Sequence, residues 1–299
     1  MNPKNAIWYD TAKAKEFAGL TIETLASGFQ FTEGPVWHPE QHLLFSDIPA
    51  NKIWQLSPDN ETLVYLDKSG CNHDDTTYLS EQIGSNGLAF DREGCLLICQ
   101  HGNHALARLD KTGTLSFLAN EFEGRPLNSP NDLVLHSDGT IYFTDPPYGL
   151  KDQILHPSKF QSFAGVYHYR RGELLLLSDD FRYPNGICFS PDENYLYVSS
   201  NHPDEPYIWR YRLSSSGEIK DQTILIEQNA DGITTDKEGN LWLCTDQGIM
   251  IVSPLGKKMG LIPLPESPAN LTWAGMSSNE LFITARSSVY KLTLIDSGS

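Results

Sequence analysis

The sequence of 299 residues contains no long hydrophobic run and no leader-like start. No segment reaches the roughly 18 consecutive apolar residues that indicate a membrane-spanning helix. The first ten residues, MNPKNAIWYD, lack the basic start and the apolar run of a secretory signal. We therefore expect a soluble, cytoplasmic protein that does not bind a membrane.

Positive charge is also scarce. The chain has 22 lysines and arginines against 38 aspartates and glutamates, which gives a formal net charge of −16 at pH 7. A chain this acidic repels phosphate backbones and anionic lipid head groups, so nucleic acids and membrane surfaces are disfavoured as partners. The remaining composition, with 39% apolar and 11% aromatic residues, is typical of a folded protein.

Cysteines are few and lack a paired spacing: there are five, with no CxxC motif. Cys95 and Cys99 lie four residues apart in the strand-like run CLLIC, which separates them by about 13 Å along one face of a strand. A disulfide requires Cα atoms about 4.4–6.8 Å apart. The sequence therefore predicts buried, reduced thiols rather than disulfides.

What the sequence does contain is an internal repeat. Each copy begins with a polar residue and a short break, followed by an apolar alternation, a turn and a strongly apolar strand. These leading residues are 39 to 54 positions apart, and they are Glu33, Asn86, Asn131, Asn185, Asp231 and, in the weakest copy, Asn270. Six units of about 47 residues are typical of β-propeller blades, each of which is a four-stranded antiparallel sheet.

The segments between the repeats support an all-β fold. Turn sequences such as DREG, HSDG and DKEG separate β-rich runs, and a sustained helical period is missing outside the N-terminal segment. A TIM barrel, which needs a helix after every strand, is thereby excluded. The sequence predicts a single six-bladed β-propeller domain over residues 1–299, with residues 1–20 as an N-terminal arm.

The ends of the chain and two long connections complete this prediction. Strands around residues 22–25 and 289–294 are expected to pair and close the ring, since closure removes exposed sheet edges. Residues 69–85 and 149–165 form the two long connections. Because long loops in compact folds are often functional, they are expected either at one mouth of the central tunnel or as surface decoration.

The leading residues themselves suggest a metal site. The innermost strands of a propeller line its central channel, so six leading residues would converge on the axis at one end. They comprise two carboxylates and four amides, and such oxygen donors suit a hard divalent cation such as Ca²⁺ or Mg²⁺. Asn-Gly and Asp-Gly pairs are also ordinary turn signals. Six copies in register, one of them with a glutamate, nevertheless favour a metal site.

Several motifs resemble the SMP-30/gluconolactonase/LRE-like family, most closely its bacterial gluconolactonases. They are FTEGPVWHP, SNGLAFDREG, LNSPNDLVLHSDGTIYFTDPPYGL, YPNGICFSPDE, ADGITTDKEGNLW and LFITA, and together they extend over nearly the whole chain. The resemblance implies a six-bladed propeller that hydrolyses sugar lactones with a metal ion. It places the metal ligands on Glu33, Asn185 and Asp231, and a substrate-contacting asparagine on Asn131. The SMP-30 branch has an arginine two residues before that asparagine, where this sequence has Ser129.

Lactone hydrolysis requires a Lewis acid at the carbonyl oxygen, a water molecule and a proton acceptor. Asp231 is the candidate catalytic base, with a role as a pure metal ligand as the alternative. Asn131 would donate a hydrogen bond to a substrate hydroxyl or to the forming oxyanion. Further candidate substrate contacts, each with a structural role in a loop or turn as the alternative, are His101, Arg125, Asn128 and Tyr148.

These observations favour hydrolysis of a sugar-acid lactone, of the gluconolactone or pentonolactone type, to the aldonic acid. The cofactor would be one divalent ion, with Ca²⁺ preferred and Mg²⁺, Mn²⁺, Zn²⁺ and Fe²⁺ as alternatives. A second hypothesis is a metal-dependent phosphotriesterase-like or aryl-ester hydrolase on the same ring. A third is a non-catalytic propeller that acts as a binding scaffold, which would not need two carboxylates on its axis. The expected partner is a small-molecule sugar lactone, and the sequence carries no signal for an oligomeric state.

Overall fold

The protein consists almost entirely of β-strands arranged as a six-bladed propeller. A computed structural model describes residues 6–17, 19–74, 76–155, 160–214, 217–275 and 279–295, apart from the side chains of residues 15 and 16. The N-terminal segment contains strand β1 (Ile7–Trp8), helix α1 (Thr11–Glu16) and strand β2 (Thr21–Ser27). In the described part of the chain no helix is long and apolar enough to cross a membrane.

The first three blades follow in chain order, each numbered from the axis outwards. Blade 1 contains β3 (Thr32–Trp37), β4 (Leu43–Asp47), β5 (Lys52–Leu56) and β6 (Thr62–Asp67). Blade 2 contains β7 (Ser85–Phe90), β8 (Leu96–Gln100), β9 (Ala105–Leu109) and β10 (Leu115–Ala119). A short hairpin, β11 (Glu121–Phe122) and β12 (Arg125–Pro126), precedes blade 3. Blade 3 contains β13 (Leu133–Leu135), β14 (Ile141–Asp145), β15 (Ala164–Arg170) and β16 (Glu173–Phe181), with a 3₁₀ turn at Lys151–Gln153.

The last three blades have the same antiparallel order. Blade 4 contains β17 (Pro184–Phe189), β18 (Tyr195–Ser200), β19 (Tyr207–Leu213) and β20 (Ile219–Glu227). Blade 5 contains β21 (Ile233–Thr235), β22 (Leu241–Thr245), β23 (Gly248–Val252) and β24 (Lys258–Ile262). Blade 6 contains β25 (Pro268–Trp273), β26 (Glu280–Ala285) and β27 (Ser288–Thr293), and its outermost strand is β2.

The ring is closed by its two ends, as the sequence predicts. Strand β2 pairs antiparallel with β27, with Ile22 opposite Leu292 and Thr24 opposite Tyr290. The N-terminal strand thus completes the C-terminal blade, which gives blade 6 four strands like the other blades and joins the two ends of the chain in one sheet.

The predicted N-terminal arm is docked over part of its length. Strand β1 pairs with β24 and adds a fifth strand to blade 5. Phe17, which follows α1, is only 5% exposed and packs edge-on against Trp242 at 5.7 Å between ring centroids. Residues 1–5 and 18 of the predicted arm lie outside the described residues.

The core lies between neighbouring blades. Each of six clusters of buried apolar side chains joins two adjacent blades, for example Leu44 and Ile53 of blade 1 with Leu88 and Ile98 of blade 2. Strand residues alternate between the two faces of a sheet, so each blade contributes to the cluster on either side. All five cysteines are free and buried, which confirms the prediction of reduced thiols.

Candidate active site

The innermost strands are irregular where they carry the leading residues. The pairing of β3 with the next strand shifts register directly after Glu33, and the pairings of β7 and β17 shift register over the stretches that contain Asn86 and Asn185. Such bulges redirect a side chain and bend the strand. Strands β13 and β21 begin two residues after Asn131 and Asp231. The leading residues therefore occupy bends at one end of the channel.

Glycines allow neighbouring inner strands to approach each other at these bends. The Gly87 amide donates to the Asn131 carbonyl at 2.7 Å, and the Gly186 amide donates to the Asp231 carbonyl at 3.1 Å. A Cβ atom added to Gly34 would lie 1.9 Å from the Asn86 carbonyl oxygen, which is impossible without moving backbone. The glycine of each Asn-Gly or Asp-Gly pair is thus needed for the close approach of neighbouring inner strands, and not only for a turn.

The sixth leading residue is Ala269, one place earlier than predicted. The Gly232 amide donates to the Ala269 carbonyl at 2.7 Å, the same bond that the other glycines make to the next leading residue. Asn270 occupies the position that glycine has in four blades, and its amide donates to Asp132 Oδ2 at 3.3 Å. The prediction of Asn270 as the sixth leading residue is therefore wrong by one position, and this position carries no polar side chain.

Five polar side chains remain at the leading positions, and we call them the axial ring: Glu33, Asn86, Asn131, Asn185 and Asp231. The amides in this ring are joined by a directed chain of hydrogen bonds. Asn86 Nδ2 donates to Asn131 Oδ1 at 2.7 Å, and Asn131 Nδ2 donates to Asn185 Oδ1 at 2.8 Å. Asn185 Nδ2 donates to the Tyr148 hydroxyl at 3.2 Å. This chain fixes which amide atoms are oxygen and which are nitrogen.

The two carboxylates of the ring are in an unfavourable electrostatic environment. Burial and the nearby carboxylates of Asp231 and Asp132 raise the pKa of Glu33 well above its usual range. Burial also raises the pKa of Asp231, while a hydrogen bond with Asn185 and the Arg286 guanidinium act in the opposite direction. Carboxylates buried beside each other favour either a proton or a cation between them.

The donor set fits a hard divalent cation. Glu33, Asn185 and Asp231 offer carboxylate and amide oxygens, the ligands that Ca²⁺ and Mg²⁺ prefer. In addition, Asn86 Oδ1 is buried and has no hydrogen-bond partner among the described residues. An orphaned oxygen beside two buried carboxylates is the environment that a cation would compensate.

Tyr148 and His101 both reach the axial ring. The Tyr148 hydroxyl accepts from Asn185, and burial together with Asp231 raises its pKa, so the hydroxyl stays protonated. His101 is fully buried, with Nδ1 3.0 Å from the Gln82 carbonyl oxygen and Nε2 3.4 Å from Asn86 Nδ2. Burial lowers the pKa of His101 to about 4, so it is neutral and accepts from Asn86. His101 therefore contacts the axial ring through Asn86, and its predicted contact with substrate stays a prediction.

The two long connections lie together at this end of the propeller. Ser80 donates its amide to the Gly149 carbonyl at 2.9 Å, and Lys151 donates its amide to the Tyr78 carbonyl at 2.8 Å. The first connection carries Gln82, which contacts His101, and the second follows directly after Tyr148, which contacts Asn185. Residues 75 and 156–159 of these connections lie outside the described residues.

Asn128 and Ser129 form a buried loop beside the ring. The Asn128 side-chain amide donates to the carbonyls of Asp145 and Phe163 at 3.1 and 2.8 Å. The Ser129 hydroxyl donates to the Pro146 carbonyl and accepts from the Gly149 amide at 2.9 Å. Ser129 therefore stabilises the turn that carries Tyr148, and a Cβ atom added to Gly149 would lie 2.8 Å from the Ser129 Cβ.

Arg125 lies on the exposed β11–β12 hairpin, where its carbonyl accepts from the Gln161 side chain at 2.8 Å. The predicted substrate contacts of Arg125 and Asn128 thus stay predictions, with a structural role visible for Asn128.

Two charged residues near the ring, Asp132 and Arg286, were not predicted from the sequence. Asp132 follows Asn131 at the glycine position of the repeat, and burial raises its pKa to about 6. The departure from glycine in the motif PND was the available signal. Arg286 lies in the β26–β27 turn, with its guanidinium 5.2 Å from the centre of the Phe31 ring. No local pattern marks this arginine, because its relation to Asp231 exists only once the ring is closed.

Comparison with known proteins agrees with this architecture. The family model of the SMP-30/Gluconolactonase/LRE-like region matches residues 31–287. The chain is 35% identical over 286 residues to a gluconolactonase of Zymomonas mobilis, covering 91% of this chain and 80% of that protein. The solved structure of a gluconolactonase from Xanthomonas campestris superposes with a TM-score of 0.84 and 29% identity, over 97% of this chain and 95% of that one.

A more distant structure shares the fold. Regucalcin from Agrobacterium tumefaciens, described as a calcium-binding protein, gives a TM-score of 0.73 at 19% identity, over 94% of this chain and 96% of that one. The family match over most of the chain and the gluconolactonase relatives agree with the propeller fold. This chain belongs to the SMP-30/gluconolactonase/LRE-like family and is a lactone-hydrolysing enzyme.

Proposed function

We propose that this enzyme hydrolyses lactones of sugar acids to the open aldonic acids with one divalent cation, preferably Ca²⁺. The observation that carries the proposal is the pair of buried carboxylates, Glu33 and Asp231, at the end of the channel. Their pKa values are raised by burial, and Asp231 and Asp132 further raise that of Glu33. The cationic side chain that acts on Asp231, Arg286, is itself exposed. A bound cation would balance the charge of the pair.

Glu33, Asn185 and Asp231 would hold this ion. When bound, a divalent ion supplies a Lewis acid for the lactone carbonyl oxygen and lowers the pKa of a coordinated water. The oxygen-only donor set supports Ca²⁺ over ions that prefer nitrogen or sulfur. Regucalcin, a calcium-binding protein with the same fold, agrees with this preference.

Asp231 is the proposed general base. In the reaction a water oxygen forms a bond to the acyl carbon, the ring C–O bond breaks, and the leaving alkoxide takes up a proton. Asp231 accepts the proton of the attacking water on a carboxylate oxygen. Its raised pKa suits this task, because a base is most effective when its pKa lies near the working pH.

Asn131 is the proposed oxyanion and substrate donor. One Nδ2 hydrogen is used in the bond to Asn185, and the second is available for a substrate oxygen. Asn86 holds the other end of this amide by donating to Oδ1, so the orientation of Asn131 is set before substrate arrives. Preorganised donors of this type stabilise charge that develops in the transition state. Tyr148, whose hydroxyl contacts Asn185, is the proposed contact for a sugar hydroxyl.

A substrate panel tests this proposal. Purified protein is assayed with excess Ca²⁺ by acid release from glucono-1,5-lactone and pentonolactones, with an organophosphate triester and an aryl ester in parallel. We expect turnover of the sugar lactones to exceed that of the other esters by orders of magnitude. Preferred hydrolysis of the organophosphate or aryl ester would support the second hypothesis instead, and no turnover of any of them would support a scaffold.

A further inference from the structure

The turn between β3 and β4 has the sequence HPEQH, residues 38–42, at the opposite end of blade 1 from the axial ring. His38 follows Glu33 by five residues, which corresponds to about 16 Å along an extended strand. The turn is tight, with the His38 amide donating to the His42 carbonyl at 2.8 Å. Its chemistry is therefore separate from that of the ring.

Three metal-binding side chains meet at this turn. One ligand atom from each of His38, Glu40 and His42 lies within 4.8 Å of the others. The two imidazole rings stack with their centroids 4.1 Å apart and 15° between their planes. Two atoms bound to one tetrahedral Zn²⁺ are about 3.4 Å apart, since each bond is about 2.1 Å. Side-chain rotations that tilt the two imidazoles out of their stack would bring all three donors onto one ion.

One nitrogen of the buried His42 ring lacks a hydrogen-bond partner among the described residues. His42 is 8% exposed, and this nitrogen, Nε2, is itself buried. A buried ring nitrogen without a partner destabilises the folded protein, because it has lost its hydrogen bond to water. A ligand that accepts a nitrogen lone pair would remove this cost.

The corresponding turn of blade 2 shows how the chain satisfies a similar cluster. Asp91, Glu93 and Cys95 occupy the same turn positions, and Arg108 contacts Asp91 and Glu93, each at 2.6 Å. Arg108 lies opposite Leu97 in the sheet of blade 2. Leu44 has the corresponding position in blade 1, and the residue opposite it is Gln55. Blade 2 therefore supplies a cation from its own third strand, whereas blade 1 has a neutral side chain at that position.

We propose that His38, Glu40 and His42 form a second metal site, which takes a nitrogen-preferring divalent ion of the Zn²⁺, Cu²⁺ and Ni²⁺ class. Two imidazoles and one carboxylate are a known donor set for zinc, with the fourth position open to water. Glu40 is exposed, so an ion can enter from solvent. The bound ion fastens the β3–β4 turn, and the oxygen-only ring and this turn select different cations.

The test is a titration of the full chain with Zn²⁺ in a large excess of Ca²⁺, followed by calorimetry. Wild-type protein is expected to bind one Zn²⁺ that Ca²⁺ does not displace. His38→Gln and Glu40→Gln are expected to weaken this binding, the histidine variant by at least about 100-fold, because losing even an outer-sphere partner commonly costs 10–100-fold. His136→Gln is the matched control, since His136 lies beside Asp138 and Glu193 on the corresponding turn of blade 3.

Both variants change partly or fully exposed side chains, and their lactone turnover with Ca²⁺ is expected to equal that of the wild type. Absence of Zn²⁺ binding by the wild type, displacement of Zn²⁺ by Ca²⁺, or unchanged binding by His38→Gln would each overturn the proposed turn site. Since none of these outcomes involves the ring, failure here leaves the proposed lactonase site unaffected, and failure of lactone hydrolysis leaves the turn site unaffected.

Discussion

Replacement of Glu33 by glutamine tests two opposite effects on stability. The repulsion between two buried carboxylates destabilises the metal-free protein, and the ion that they are proposed to hold stabilises the metal-bound protein. Glu33 is 2% exposed, and its Oε2 accepts from the Gly34 amide at 2.7 Å. Glutamine keeps an oxygen for this bond and removes the charge that faces Asp231. We therefore expect the metal-free variant to be more stable than the metal-free wild type, in contrast to most substitutions of a buried residue.

The expected magnitudes are large enough to measure by thermal unfolding. Burying an uncompensated charge costs several kcal/mol, so removing it should stabilise the metal-free protein by about 2 kcal/mol, or about 4 °C in Tm. Ca²⁺ at 100 times its Kd stabilises the wild type by about 2.7 kcal/mol, or about 5 °C. The variant lacks one charged ligand and should gain little. The order of the two Tm values should therefore reverse when Ca²⁺ is added.

The assay is a pair of thermal scans at pH 7.5, one in chelator and one in excess Ca²⁺, for wild type, Glu33→Gln and the control Glu61→Gln. Glu61 is exposed, and its replacement should leave both Tm values within about 1 °C of the wild type. If wild type is the more stable protein in both scans, the argument from charge repulsion is wrong. If Ca²⁺ stabilises both proteins equally, Glu33 is not a ligand.

Three further predictions concern the ring and its surroundings. Asp231→Asn, saturated with metal, should lose about 10²–10⁴ in kcat, which is the usual contribution of a general base. Near-normal turnover of this variant would show that Asp231 is a metal ligand and not the base. Asn131→Ala should keep its metal and lose about 10²–10³ in kcat. Asn185→Ala should lose its metal, which elemental analysis measures. If Asn131→Ala lacks metal and Asn185→Ala retains it, Asn131 is the ligand and Asn185 the substrate contact. Burial lowers the pKa of His104 to about 4. As the pH falls from 6.5, the unfolded chain therefore takes up this proton first and stability decreases, so His104→Gln should reduce the loss of unfolding free energy between pH 7 and 4.5 by about 2–3 kcal/mol in urea titrations.

The sequence by itself determined the architecture and the chemical type of the site. Apolar strands recur at the period of propeller blades, and a strand at each end of the chain is left without a local partner. Closure through β2 and β27 follows, because unpaired sheet edges are avoided. Polar residues at the start of the innermost strands converge on the axis, so the leading residues could be named as a group before any coordinates, and the family resemblance implied Glu33, Asn185 and Asp231 among them as metal ligands.

Only the tertiary structure decided how these side chains meet. The sixth leading residue is Ala269 rather than Asn270, because the Gly232 amide donates to the Ala269 carbonyl as Gly87 and Gly186 donate to the next leading residues. The chain of amides from Asn86 through Asn131 joins residues that are 45 positions apart, and Arg286 acts on Asp231 from another blade. Local patterns specify strands and turns, which depend on neighbouring residues. Contacts across the axis depend on the orientation of six separate sheets, and that orientation is set by the packing between blades.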